Sequence, residues 1–168
     1  MTDHMIDEEL RAAARRVLDA CRGRHLKLAV AESCTGGLVA AALTEIPGSS
    51  DVLDRGFITY SNEAKQAMLG VPPVVLEGKG AVSRETAESM AVGALERSRA
   101  DLVAAVTGVA GPSGGSAEKP VGLVHFAAAR RNGRLVHREC RYGDLGRAEI
   151  RRRSVLEVFA MLEELAAD

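Results

Sequence analysis

Short apolar runs alternate with helical patterns along this chain, and that alternation restricts its fold more than any other feature. Five runs are predicted to be strands: residues 26–31, 52–60, 102–106, 121–129 and 135–142. The last two flank the turn Asn132-Gly133 and are predicted to form a hairpin. Helices that alternate with buried strands are typical of layered α/β domains. We therefore expect a single three-layer α/β/α domain, residues 1–168, with a mixed, mostly parallel sheet.

Capping and helix-breaking residues mark the ends of the helical patterns. Five helices are predicted: one that ends at Gly23, one closed by Pro47-Gly48, one capped by Ser61 that runs through Leu69 and is stopped by Pro72-Pro73, one capped by Ser83, and one with an apolar face over residues 150–166. The second of these helices follows the first strand directly, through a turn of hydroxyl residues and glycines.

Composition disfavours several classes of function. The 22 Lys and Arg residues nearly balance the 23 Asp and Glu residues, so the chain as a whole has little electrostatic attraction for nucleic acid. Two tyrosines, three phenylalanines and no tryptophan leave few rings for base stacking. Three cysteines without a CxxC pair, and four histidines without metal-ligand spacing, indicate neither a disulfide framework nor a zinc site. We expect no metal, no cofactor and no nucleic-acid partner.

Targeting and membrane signals are also missing from the sequence. Its start has no apolar h-region, and no apolar run approaches the roughly 18 residues that a spanning helix needs. The prediction is a soluble, cytoplasmic protein that does not bind membranes.

The turn Glu32-Ser33-Cys34-Thr35-Gly36-Gly37 joins the first strand to the second helix. Ligands of open α/β sheets bind at the carboxyl ends of strands, and a helix N-terminus offers N–H groups to a phosphate or an oxyanion. Ser33 is a candidate nucleophile there. The alternative is that Ser33 or Thr35 only caps the helix. Cys34 is a rival nucleophile, because a helix N-terminus lowers a thiol pKa, or else a small core residue.

Lys65 lies in the first turns of the helix that Ser61 caps, where the helix dipole opposes a positive charge. With burial, that position would depress the pKa of its amine, and a neutral lysine can act as general base toward a serine. Bringing a lysine pKa from about 10.4 to near 7 costs roughly 4 to 5 kcal/mol, so real burial is required. The alternative is an ordinary solvated lysine. Tyr60 is a candidate oxyanion donor or stacking ring, or it simply fills a strand position.

A glycine-rich loop follows the third strand and contains Gly108, Gly111, Gly114 and Gly115. Its GxxGxxG spacing matches neither the dinucleotide GxGxxG motif nor a Walker loop. Backbone N–H groups in such a loop can still cradle an anion or let a planar ligand approach closely. Because the loop lies between two apolar strands, we favour a binding loop over a flexible linker.

Basic residues are concentrated in the last third of the chain. Residues 130–153 carry nine arginines against three acidic residues. Most of these arginines are expected to lie on solvated faces of a hairpin and a helix. Arg147 or Arg151, near the start of the last helix, is a candidate to clamp a substrate phosphate.

Taken together, these motifs resemble the CinA C-terminal domain family, which includes stand-alone nicotinamide mononucleotide deamidases. The matching stretches are AESCTGG at 31–37, ITYSNEAK at 58–65, AVSRETAESMA at 81–91, TGVAGPSGGSAEKPVGLV at 107–124 and GDLGRAEIR at 143–151. They span almost the whole chain in family order. Family members commonly carry glycine where this chain has Ser113, so this chain departs from the family pattern there but keeps a small residue.

The resemblance implies an amidohydrolase. Its reaction is hydrolysis of the carboxamide of nicotinamide mononucleotide to nicotinate mononucleotide and ammonia, without a metal. Carried over residue by residue, Ser33 matches the proposed nucleophile and Lys65 the proposed base. Tyr60 and Thr107 match residues that line the site.

The other candidate residues are assigned to substrate binding by the chemistry of the motifs themselves. The N–H groups of Thr35, Gly36 or Gly37 would stabilise the oxyanion, and the glycine loop, Arg147 or Arg151 would hold the phosphate. A stand-alone homodimer is expected, without the N-terminal molybdopterin-binding-like domain of longer family members.

One alternative is a catalytically idle domain that binds a pyridine nucleotide or a protein partner and has a regulatory role. Another is an amidase with a different substrate or with the neighbouring thiol as nucleophile.

Overall fold

The computed structural model describes residues 5–168, in which a five-stranded sheet lies between two layers of helices. The strands are β1 (Leu28–Glu32), β2 (Leu53–Ile58), β3 (Leu102–Gly108), β4 (Leu123–Arg130) and β5 (Leu135–Arg141). The helices are α1 (Glu8–Gly23), α2 (Leu38–Thr44), α3 (Asn62–Leu69), α4 (Pro73–Lys79), α5 (Arg84–Glu96) and α6 (Arg147–Ala167), with a short 3-10 helix at Ser49–Asp51. The predicted three-layer α/β/α architecture is confirmed, and its extent as one domain over residues 1–168 stays a prediction.

The sheet has the strand order β2-β1-β3-β4-β5. β1 is parallel to β2 and β3, while β4 is antiparallel to β3 and β5, so four of the five strands point the same way. This is the mixed, mostly parallel sheet expected from the sequence. Because β1, β2 and β3 end at the same edge of the sheet, the segments that follow them in the chain meet there.

Alternate side chains of the central strands face opposite helix layers. In β1, Leu28 and Val30 pack with α1, α2 and α6, whereas Ala29 and Ala31 pack with α5 and its neighbours. All five residues of β1 are buried, which explains why the strand appears in the sequence as a continuous apolar run. The layer on the α5 side is rich in alanine, and these small side chains let α5 lie close to the sheet.

Most predicted helix boundaries are confirmed. α1 ends at Gly23. The hydroxyl oxygens of Ser61 and Ser83 cap α3 and α5 by accepting hydrogen bonds from the amides of Ala64 and Thr86, at 3.0 and 3.1 Å. The cap on α3 matters for function, because α3 carries the candidate base.

The predicted end of α3 at Leu69 is confirmed, but the predicted role of Pro72-Pro73 as its stop is wrong. Gly70, in the left-handed region at φ 66°, ends α3, and Pro73 begins α4. Proline suits the first position of a helix because it lacks an N–H group that would have no partner there. The two prolines therefore start a helix that the sequence analysis missed.

No helix within residues 5–168 is long and apolar enough to cross a membrane. Over the same residues, no group of three or more His, Cys, Asp or Glu side chains is placed to hold a metal ion. All three cysteines are free thiols.

Candidate active site

Ser33 is the first residue after β1 and stays attached to the sheet. Its N–H group donates to the carbonyl oxygen of Val106 on β3, at 3.0 Å. The side chain is 8% exposed, so its hydroxyl faces a recess of the surface and not bulk water. The carboxyl edge of the sheet thus presents one hydroxyl group to a ligand.

Lys65 lies on α3 and reaches this hydroxyl from the neighbouring segment. Its Nζ donates to the Ser33 Oγ at 2.9 Å, to the Thr59 carbonyl oxygen at 2.8 Å and to the Tyr60 carbonyl oxygen at 3.5 Å. The residue is 1% exposed, and burial lowers the pKa of its amine below the ordinary value. All three contacts are with uncharged groups, so no carboxylate offsets this effect at hydrogen-bond distance. The burial that the sequence hypothesis required is present.

A cavity of about 370 Å³ opens above these two side chains. It brings together most residues of the predicted site. Those that line it are Ser33, Tyr60, Lys65, Thr107, Gly108, Gly111, Gly114, Gly115 and Arg147, with Cys34 and Ser113 beside them. The turn after β1, the segment after β2 and the glycine loop after β3 therefore form one site, as their positions at the carboxyl ends of parallel strands lead one to expect.

Polar contacts fix the walls of the cavity. The Thr107 hydroxyl donates to the carbonyl oxygen of Ala81 at 2.8 Å, which ties the end of β3 to the loop before α5. Arg147 donates to the Gly111 carbonyl oxygen at 2.7 Å and to the Tyr60 hydroxyl oxygen at 2.9 Å. Arg147 thus holds the glycine loop and the tyrosine on either side of the opening.

Two glycines of the loop are required by their surroundings. A Cβ at Gly111, where φ is +76°, would lie 2.6 Å from a methyl group of Val121. A Cβ at Gly108 would lie 2.8 Å from the Leu123 carbonyl oxygen. Side chains at either position would displace the loop, so these glycines shape the cavity wall.

Four residues of the predicted site do not line the cavity: Thr35, Gly36, Gly37 and Arg151. Thr35 is fully buried, and its carbonyl oxygen accepts a hydrogen bond from Arg151 at 2.9 Å. The Gly36 N–H donates to the Ser33 carbonyl oxygen at 3.0 Å, so that amide is already engaged within the turn. The turn folds back on itself and presents Ser33, not its glycine amides, to the cavity.

The alternative that Ser33 or Thr35 caps the second helix also differs from the structure. The N-cap residue of α2 is Gly37, and the side chain that accepts from the first amides of the helix is that of Glu32. A glutamate in a strand is not a usual cap signal, and the sequence analysis gave it no role. Ala81, Val82, Val109 and Ala110 also line the cavity and were missed, because small apolar residues in loops carry no chemical signature.

A second cavity, of about 410 Å³, lies between α3 and α5. Three carboxylates line it, those of Glu85, Glu88 and Glu96, against the single guanidinium of Arg97. This negative lining repels a phosphate-bearing ligand. The cavity at Ser33 is therefore the better candidate for an anionic substrate.

Cys34 lines the cavity but is poorly suited to be the nucleophile. Burial raises the pKa of its thiol to about 12, so the reactive thiolate is scarce near neutral pH. We expect Cys34→Ala to keep kcat within about 3-fold of wild type. If iodoacetamide lowers the activity of the wild type, we expect it to lower the activity of Cys34→Ala to the same extent. Activity measurements on both proteins after iodoacetamide treatment check this, with Cys140→Ser as the control for alkylation of the partly exposed thiol. Protection by Cys34→Ala would revive the thiol mechanism.

Comparisons with known proteins agree with one another. The family model for the CinA C-terminal domain matches residues 10–166. The nicotinamide-nucleotide amidohydrolase PncC of Escherichia coli (strain K12) is 49% identical over 141 residues, which cover 83% of this chain and 86% of that protein. A CinA-like protein of Synechococcus sp. (strain RCC307) is 51% identical over 161 residues, or 95% of this chain. The chain spans 38% of the length of that longer relative, and 26% of a Caldicellulosiruptor bescii relative that is 58% identical over 109 residues.

Solved structures show the same fold. A competence/damage inducible protein from Agrobacterium tumefaciens has a TM-score of 0.94 and 55% identity, with 97% of this chain and 98% of that chain covered. A competence-damaged protein superfamily member from Klebsiella pneumoniae has a TM-score of 0.88 and 35% identity, with 94% and 98% covered.

Proposed function

The chain belongs to the CinA C-terminal domain family, and from that premise we propose that it hydrolyses nicotinamide mononucleotide to nicotinate mononucleotide and ammonia. The 49% identity to a nicotinamide-nucleotide amidohydrolase supports this reaction. The observation that carries the proposal is the 2.9 Å contact between the Lys65 Nζ and the Ser33 Oγ at the base of a cavity. A hydroxyl paired with an amine of lowered pKa is a nucleophile and base for acyl transfer.

In the proposed mechanism, neutral Lys65 takes the proton of the Ser33 hydroxyl as its oxygen attacks the carboxamide carbon. The protonated lysine then gives that proton to the departing nitrogen, so that ammonia leaves and an acyl ester remains on Ser33. A water molecule repeats the sequence on the ester: Lys65 accepts its proton, nicotinate mononucleotide is released, and the proton returns to Ser33. Atoms and charges balance over the two halves, and each half uses the same base.

The oxyanion of the tetrahedral intermediate needs a hydrogen-bond donor in the cavity. Of the three amides considered from the sequence, that of Gly36 is engaged within the turn. We assign this role to the Tyr60 hydroxyl, which accepts from Arg147 and keeps its own proton for the substrate oxygen. The contact with a guanidinium makes the phenol a stronger donor.

Arg147, and not Arg151, is the proposed phosphate ligand. Arg147 lines the cavity, and its two known contacts leave further N–H groups for a phosphate. We expect Arg147→Ala to raise KM about 10- to 100-fold, the loss of one charge-assisted hydrogen bond of about 1.5–3 kcal/mol. Arg151→Ala, on the same helix but outside the cavity, is the matched control and should change KM by less than about 3-fold. Steady-state kinetics on both variants check this, and the opposite ranking would move the phosphate site to Arg151.

The substrate is tested by ammonia release from nicotinamide mononucleotide, nicotinamide and NAD. Release from the mononucleotide in strong preference to the other two supports the proposal. Thermal stabilisation by the mononucleotide without any turnover would instead support the regulatory, non-catalytic alternative. Release from nicotinamide alone would keep the amidase chemistry and change the substrate.

The assembly and location of the protein remain predictions. We propose a cytoplasmic homodimer that acts on a small nucleotide and does not bind nucleic acid. Sedimentation analysis of the purified chain tests the dimer, and a nucleic-acid shift assay tests the absence of that partner.

A further inference from the structure

Glu32 is a buried carboxylate that the proposed mechanism does not use. It is the last residue of β1 and is 1% exposed. Its Oε1 accepts a hydrogen bond from the Val39 N–H at 2.9 Å, and its Oε2 accepts one from the Ala40 N–H at 3.1 Å. These are the amides of the first turn of α2 that an N-cap side chain normally satisfies. The N-cap residue here is Gly37, which has no side chain to offer.

The backbone of Glu32 connects the nucleophile with the base. Glu32 directly precedes Ser33, and its carbonyl oxygen accepts from the Thr59 N–H at 2.8 Å. The Thr59 carbonyl oxygen in turn accepts from the Lys65 Nζ at 2.8 Å. A shift of Glu32 would therefore change the position of Ser33 relative to Lys65 from both sides.

We propose that Glu32 is a positioning residue, whose carboxylate clamps α2 to the end of β1 and thereby holds the Ser33 hydroxyl at hydrogen-bond distance from Lys65. The inference rests on the proposed function of that pair. The turn over residues 33–37 has one fixed end in the sheet, through the Ser33 N–H on β3. The Glu32 clamp on the amides of α2 fixes the other end.

The clamp also determines where the negative charge of Glu32 is held. In this chain the two carboxylate oxygens are engaged by the positive end of α2, while the Lys65 amine contacts a hydroxyl and two carbonyl oxygens. The Glu32 side chain is thus engaged by backbone amides and makes no hydrogen bond to the Lys65 amine.

The test is the activity of Glu32→Gln, with ammonia release from nicotinamide mononucleotide as the readout. A glutamine can accept one of the two amide bonds, but its NH₂ group then faces the other amide donor. We expect kcat to fall about 10- to 100-fold, as small displacements of reacting groups do, with KM within about 3-fold of wild type. The pH at which kcat falls on the acid side should not move, because Glu32 acts through position and not as the counterion of the base.

The matched control is Asp7→Ala, which removes the side-chain cap of α1, a bond of 2.9 Å to the Leu10 amide. It also removes the 2.6 Å contact of Asp7 with Arg152 on α6, so it lowers stability without altering a residue that lines the cavity, and it should leave kcat unchanged. Equal kcat values for Glu32→Gln and Asp7→Ala would overturn the positioning role. A shifted acid limb with full kcat at higher pH would overturn it too, in favour of an electrostatic role.

Two further readouts keep the proposal testable. Glu32→Asp retains the charge, but its side chain is too short to span the same two amides. We expect its kcat to fall as that of Glu32→Gln does, so it provides a second test if Glu32→Gln folds poorly. Thermal unfolding of each variant separates loss of fold from loss of alignment. If the wild-type protein releases no ammonia, the proposed function itself fails. If the wild type is active and Glu32→Gln is unaffected, only the positioning role fails.

Discussion

Ser33→Ala is expected to lower kcat for ammonia release by about 10⁴-fold or more, since loss of a nucleophile that acts in concert with its base removes nearly the whole catalytic effect of the pair. The nearby thiol of Cys34 cannot replace the hydroxyl, because burial raises the pKa of that thiol to about 12. Substrate binding should survive, since the proposed phosphate ligand Arg147 is untouched. Steady-state kinetics and a binding isotherm for the mononucleotide measure both effects.

Ser50→Ala is the control for this variant. Ser50 is an exposed hydroxyl in the 3-10 helix before β2, at the opposite edge of the sheet from the cavity. Its replacement should leave kcat within about 2-fold of wild type. Retention of wild-type kcat by Ser33→Ala would exclude the serine as nucleophile.

Lys65→Met should lower kcat by a similar factor, because the methionine fills the same buried space without a base. In the wild type, kcat should fall as the pH drops below the lowered pKa of the amine, since only the neutral form accepts a proton. The methionine variant should lose that dependence together with its activity. Lys27→Met removes an exposed lysine at the amino edge of the sheet and should leave kcat unchanged.

The same lysine predicts a pH-dependent difference in stability. Burial lowers the pKa of Lys65 in the folded state below its unfolded value, so over the range between the two values the unfolded chain binds more protons. Its contribution to stability is then complete above the unfolded pKa and is lost as the pH falls through the folded one. Relative to Lys65→Met, the wild type should gain stability from pH 7 to pH 10. Urea unfolding of both proteins at the two pH values measures this, and a constant difference would contradict a shifted lysine.

The sequence could predict that Ser33 and Lys65 meet, although 32 positions separate them. Ser33 follows β1 and Lys65 follows β2, and parallel neighbours in a sheet end at the same edge. Local sequence patterns predict the buried strands, the caps at Ser61 and Ser83 and the glycine loop, and the structure contains each of them. This is why the layers, the sheet and most of the cavity lining were predictable.

Other parts of the site depend on contacts that no local pattern encodes. Arg147 and Arg151 lie one turn apart at the start of α6, and only the packing of the helix against the turn at Thr35 separates their roles. The cap supplied by Glu32 comes from a neighbouring strand, whereas sequence rules look for a cap in the residue before the helix. Likewise, a proline gives the same local signal whether it follows the end of one helix or begins the next one, as Pro73 does.

The product balance of the purified chain tests the central claim most directly. Incubation with nicotinamide mononucleotide in the presence of EDTA should yield ammonia and nicotinate mononucleotide in equal amounts, at a rate that the chelator does not change. Ammonia without the carboxylate product, or no product above the buffer blank, would contradict an amidohydrolase that works through Ser33 and Lys65.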